Sequence, residues 1–116
     1  MKVLHVEDEA IVSLAMKSDL RKIGCEEIYS VSTGEKALKI LEEHDVDVII
    51  LDIGLVGDLN GIETAKLINE KYSIPIIFVS GYTSRNDFNQ ISNVVGIITK
   101  PINFSNIKNI LEKIWK

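Results

Sequence analysis

Val46-Asp47-Val48-Ile49-Ile50-Leu51-Asp52 is an almost continuous apolar run, rich in β-branched residues, that ends on a carboxylate. Such a run reads as a strand covered on both faces, hence a strand inside a parallel sheet. Asp52 then stands where the strand leaves the sheet. Ile53 to Gly61 follows as a loop punctuated by Gly54, Gly57 and Gly61. Open α/β sheets keep their ligands at the carboxyl edge of such strands. A lone aspartate there is also an ordinary turn former or helix cap, so its meaning depends on what converges on it.

Outward from that run, strands and helices alternate. Val3 to Val6 is a short apolar strand, broken by Glu7-Asp8-Glu9. A helix from about Glu9 to Ile23 carries Val12, Met16, Leu20 and Ile23 on one stripe, with Gly24 as its stop. Glu26 to Val31 is the second strand. Ser32 and Glu35 have capping-box spacing ahead of a helix with Ala37, Leu38 and Leu41 inward. Asn60 and Glu63 repeat that spacing ahead of a helix to about Tyr72, with Ile62, Ala65, Ile68 and Tyr72 inward. Pro75 opens the fourth strand, which runs to Ser80. Arg85 to Asn93, with three asparagines, predicts only a short, weak helix. Val95 to Thr99 is the fifth strand, closed by Lys100-Pro101. Asn103 caps a last helix with Phe104, Ile107, Leu111 and Ile114 inward. Five strands and five helices without linker or repeat define a doubly wound α/β fold, a (βα)5 unit with a single parallel sheet. For five strands the flavodoxin-like order 2-1-3-4-5 is the natural arrangement.

The 116 residues suit one domain, spanning 1–116, that buries roughly two-thirds of its unfolded surface. A net charge of −4 argues against direct nucleic-acid binding. The one cysteine, Cys25, has no internal disulfide partner, which fits a reducing cytoplasm. No apolar stretch approaches the ~20 residues that span a membrane, and the N-terminus lacks a signal-peptide pattern.

The strand ends carry the chemistry. Strand 1 ends in Glu7-Asp8, strand 3 in Asp52, strand 4 in Ser80 and strand 5 in Lys100. In a parallel sheet these ends share one edge. Each has a bland reading alone: Asp8 as a helix cap, Ser80 as a turn former, Lys100 as a solvated cation. Together they supply complementary chemistry. Three crowded carboxylates repel one another, and a hard cation such as Mg²⁺ relieves that repulsion through oxygen ligands. One carboxylate can then attack phosphorus and form an acyl phosphate. The equatorial oxygens of a transferring phosphoryl group need a metal, a cation and a hydroxyl or amide donor. His5, inside strand 1, and His44, at a polar helix end, have no catalytic part in this scheme.

Glu7-Asp8, Leu51-Asp52-Ile53, Ser80-Gly81 and Lys100-Pro101 resemble the signatures of the response-regulator receiver domain of two-component signalling, in order and over essentially the whole chain. The resemblance implies that Asp52 takes a phosphoryl group from a phosphohistidine of a sensor histidine kinase or phosphotransfer protein. It implies Mg²⁺, or Mn²⁺, held by Asp8, Asp52 and the backbone carbonyl of Gly54, with Glu7 acting through water. Lys100 would bind phosphoryl oxygens, and Ser80 would move toward the group and report it to a downstream effector. Such a chain catalyses its own phosphorylation and dephosphorylation without being a turnover enzyme.

Two features depart from the family pattern. Ile97 stands three residues before Lys100, where an aromatic usually couples to the hydroxyl, and the segment between Ser80 and Lys100 is slightly short. Ile97 is stiff at χ1 and has no ring to swing, so the expected response to phosphorylation is ordering or shifting of Gly81 to Val94. Rival readings fare less well. A dehalogenase-like phosphatase would need an aspartate at Gly54. The glycines fit neither dinucleotide nor P-loop spacing. A degenerate receiver used only for protein docking is the remaining alternative.

Overall fold

The computed structural model describes residues 1–55, 59–81 and 91–115. In chain order they form β1 (Lys2–Val6), α1 (Ala10–Ile23), β2 (Glu27–Val31), α2 (Gly34–Glu43), β3 (Val48–Asp52), α3 (Gly61–Lys71), β4 (Ile76–Ser80), β5 (Val94–Thr99) and α4 (Phe104–Ile114). The five strands are parallel and lie in the order β2-β1-β3-β4-β5, the flavodoxin-like arrangement expected from the sequence. Four helices fall among the described residues. The helix expected over Arg85 to Asn93 lies outside them as far as position 90, and residues 92–93 form a turn with Asn93 at φ 66°.

The period-two alternation of β3 splits its residues between two cores, and that is why the run reads as continuously apolar. Ile49 and Leu51 face one core with Leu4, Val6, Ile76 and Phe78, closed by Ala37 and Leu41 of α2 and Ala65 and Ile68 of α3. Val48 and Ile50 face the other with Val3, Ile77 and Val79, closed by Met16 and Leu20 of α1 and Ile107 and Leu111 of α4. Every residue of β3 and β4 is buried, whereas β2 and β5, at the sheet's edges, are only partly covered. Full burial of each such aliphatic side chain is worth about 1.5–3 kcal/mol.

The helix ends show how local chemistry sets the boundaries. Gly24 stops α1 at φ 108°, a conformation glycine adopts without strain, and its amide returns to Leu20 and Arg21. Asn60 and Glu63 form the expected capping box on α3. At α2 the cap is Thr33, not Ser32: the Thr33 hydroxyl accepts from the Lys36 amide, while Ser32 Oγ lies 3.4 Å from Lys36 Nζ. On α4, Phe104 is exposed rather than inward, and Ile102 and Ile110 pack against that core instead.

Candidate functional site

The ladder that builds the sheet also continues past its carboxyl edge and fixes the residues there. The Glu7 amide donates to Val31 O at 3.0 Å, Ile53 to Val79 O at 3.0 Å, and Lys100 to Ser80 O at 2.7 Å. Glu7 and Asp8 therefore leave β1, Asp52 closes β3, Ser80 closes β4, and Lys100 follows β5, all on one rim. Ser80 pairs in register with Thr99, one strand away from Asp52, and is buried.

Asp52 is 3% exposed and is held from two sides. Its Oδ1 accepts from the Gly54 amide at 2.9 Å, and its Oδ2 receives Lys100 Nζ at 3.0 Å. The turn containing Gly54 is thus closed by Asp52 itself. Behind it, α3 starts against the backbone of Asp52. A Cβ on Gly61 would lie 2.4 Å from the Asp52 carbonyl oxygen and 2.6 Å from Ile53 Cα. Only a residue without a side chain lets the helix approach that closely.

One carboxylate oxygen from each of Glu7, Asp8 and Asp52 lies within 4.8 Å of the others. Glu7 is buried, and its Oε2 accepts from the Glu9 amide at 3.1 Å. Its Oε1 is buried without a hydrogen-bond partner, with Lys100 Nζ 3.7 Å away. Burial raises the Glu7 carboxyl to about 7; the Glu9 amide opposes this and the Asp52 charge adds to it. An orphaned buried oxygen beside two further acids fits a hard divalent cation, which takes oxygen ligands. Such a cation would neutralise charge that Lys100 alone leaves uncompensated.

Lys100 is the hub. Besides Asp52 and Glu7 it meets Glu9, with Oε1 3.6 Å from Nζ. Burial by itself would lower its ammonium, but the Asp52 hydrogen bond and the surrounding carboxylates outweigh this and raise it. His5 lies two residues before Glu7, buried on β1, and neither ring nitrogen has a hydrogen-bond partner. Burial lowers it to about 4, against the pull of the Asp52 charge.

The structure brings Glu7, Asp8, Asp52 and Lys100 together, with Ser80 and Gly54 on the same rim. The segments at 56–58 and 82–90, including most of the Gly81 to Val94 stretch, lie outside the described residues. Ile97 is paired with Phe78 across the sheet and is 38% exposed. Sequence reasoning missed the part played by Glu9. The three-acid run was its visible signal, but pairing with a lysine from the far end of the chain leaves no local pattern.

With fold and rim in place, the family follows. The model of the response regulator receiver domain matches residues 3–112, and the chain belongs to that family of two-component signalling proteins. It is 33% identical over 105 residues to the transcriptional regulatory protein YvrH of Bacillus subtilis, a match covering 87% of this chain and 43% of that protein. It is 31% identical to a protein-glutamate methylesterase/protein-glutamine glutaminase of Archaeoglobus fulgidus, covering 87% of this chain and 30% of that protein. The chain therefore spans less than half the length of these relatives. Among solved structures, the response regulator TrrA of Thermotoga maritima in complex with Mg²⁺ and BeF is 30% identical. Its TM-score is 0.84, with 98% of this chain and 99% of that one covered. The response regulatory domain of mrkE from Klebsiella pneumoniae is 28% identical with a TM-score of 0.86. No described helix is long and apolar enough to cross a membrane.

Proposed function

We propose that this chain accepts a phosphoryl group on Asp52 from a phosphohistidine of a sensor histidine kinase or phosphotransfer protein, and passes the change to a downstream partner. The observation that carries the reading is the buried Asp52 carboxylate, joined to Lys100 Nζ at 3.0 Å and clustered with Glu7 and Asp8. An Asp52 oxygen attacks phosphorus. The P–N bond breaks, and the imidazole departs with the electron pair and takes up a proton. Lys100 turns from Asp52 to the phosphoryl oxygens, and Ser80 supplies a hydroxyl from the adjacent strand end. Asp8, Asp52 and the Gly54 carbonyl would hold Mg²⁺, with Glu7 behind them through water. Mg²⁺ supplies charge neutralisation on the transferring oxygens. The Mg²⁺–BeF complex of TrrA supports this choice of ion.

A donor has a surface to meet. Beside Lys100, α1 and the turn after β5 form a groove of about 520 Å³ lined by Ile11, Val12, Met16, Pro101 and Ile102. Ile11 and Leu14 are 83% and 69% exposed. Continuity with the Asp52 rim suits this apolar strip to a helix that presents a phosphohistidine. The lone, buried Cys25 supports a reducing, cytoplasmic setting.

The test is incubation with Mg²⁺ and acetyl phosphate, read by intact mass. One phosphoryl group should be added, and Asp52→Asn or chelation should prevent it. Equal labelling of the Asn variant would overturn the assignment. No labelling of the wild type, with partner binding intact, would favour the docking-only alternative.

A further inference from the structure

Glu9 stands apart from the other acids of the rim. It lies outside the Glu7, Asp8 and Asp52 cluster, and its side chain is 65% exposed at the mouth of the site. It occupies the N-cap of α1 yet makes no side-chain cap hydrogen bond, although the first turn of α1 holds no other acid. The carboxylate instead reaches back to Lys100, Oε1 to Nζ 3.6 Å. It also lines the groove along α1, as does Asp19. The cation that must bind the incoming phosphoryl oxygens is therefore shared with a charge at the entrance.

Resting on the reading of Asp52 as phosphoryl acceptor, we propose that Glu9 selects the phosphodonor: it disfavours small, wholly anionic donors and favours a protein donor that carries a cation beside its phosphohistidine. Every donor undergoes the same displacement. The Asp52 O–P bond forms, the donor's P–O or P–N bond breaks, and the leaving group departs with the electron pair. What differs is the charge that arrives with the phosphorus. A wholly anionic donor approaches a carboxylate within the ~10 Å over which charges act at ordinary ionic strength, and it must also compete with that carboxylate for Lys100. A donor bearing a lysine or arginine next to its phosphohistidine pairs with Glu9 and releases Lys100 to the phosphoryl group. The apolar groove with a carboxylate at Glu9 and another at Asp19 suits a donor helix with an apolar stripe and basic neighbours.

The experiment compares wild type, Glu9→Gln and Glu9→Lys at saturating Mg²⁺ with two small donors. Acetyl phosphate is wholly anionic; phosphoramidate carries a protonated nitrogen. Glu9→Gln should raise the acetyl phosphate rate relative to that of phosphoramidate by about threefold at low salt, and Glu9→Lys by more. High salt should erase the difference. Thermal unfolding of the variants shows that they are folded. An equal rate ratio in all three proteins, or a shift unaffected by salt, overturns the proposal. If the wild type takes a phosphoryl group from neither donor, the acceptor reading itself fails and this inference falls with it.

Discussion

The middle of β3 and its last residue are neighbours in sequence and opposites in chemistry. Val48 to Leu51 are fully buried between two apolar cores. Asp52, one step further, meets Lys100 and two more acids. A receiver thus divides its labour between layer and rim. The apolar layer has one favourable arrangement and holds the backbone rigidly. The rim carries groups that would spread apart in water, kept within 4.8 Å by strands they do not stabilise. Repulsion at the rim is tolerable because the layer beneath supplies the cohesion.

Breaking the layer should have the largest effect. Ile50→Ala removes a fully buried side chain from the core beneath the rim and should cost about 2–5 kcal/mol in denaturant unfolding. Next comes the joint between the two regions. Gly61→Ala pushes a methyl group against the Asp52 carbonyl and should cost about 1–3 kcal/mol, with Mg²⁺ affinity falling as the Asp52 turn shifts. A fall in stability with unchanged Mg²⁺ affinity, measured by calorimetric titration, would show that α3 does not position the rim.

Relieving the rim should have the opposite sign. Asp8→Asn removes one of three crowded carboxylates. It should stabilise the metal-free protein at neutral pH by about 1 kcal/mol while abolishing Mg²⁺ binding. Loss of stability with binding retained would contradict the placement of Asp8.

The smallest effect is in pH dependence, where two buried groups oppose each other. Glu7 is raised from 4.5 to about 7, so its contribution is present below 4.5 and is lost as pH rises through 7. His5 is lowered from 6.5 to about 4, so its contribution is present above 6.5 and is lost as pH falls through 4. The metal-free protein should therefore show a shallow stability profile between those limits. Mg²⁺ should stabilise it more at about pH 8 than at about pH 6, because Glu7 is then ionised. His5→Val should leave the Glu7 contribution unopposed, so that the metal-free variant loses stability as pH rises from about 4.5 to about 7. A profile as shallow as that of the wild type would assign the cancellation to other groups.

Much of this was legible from sequence because the fold announces itself in strong, local patterns. The continuous apolar runs of β3 and β4, the helical stripe of α1 and the Asn60–Glu63 box each predict their element. Strand order then places Glu7, Asp8, Asp52, Ser80 and Lys100 on one edge. What was misread depends on competition between equivalent neighbours. Ser32 and Thr33 both stand three residues before a possible partner, and the extended backbone of Thr33 decides for its hydroxyl. Phe104 fits the helical stripe, but Ile102, ahead of the helix, packs against the same core. Glu9 shows the other limit: spacing reveals a charge, while its partner is set by tertiary structure.

Borohydride trapping shows whether Asp52 becomes an acyl phosphate. An aspartyl phosphate is reduced to homoserine, whereas a phosphorylated serine, threonine or histidine is not. After phosphorylation with Mg²⁺ and borohydride treatment, peptide mapping should find homoserine at position 52 and nowhere else. It should be absent when Mg²⁺ is chelated. Homoserine at another aspartate, or a phosphorylated chain with Asp52 unreduced, would rule out Asp52 as the acceptor.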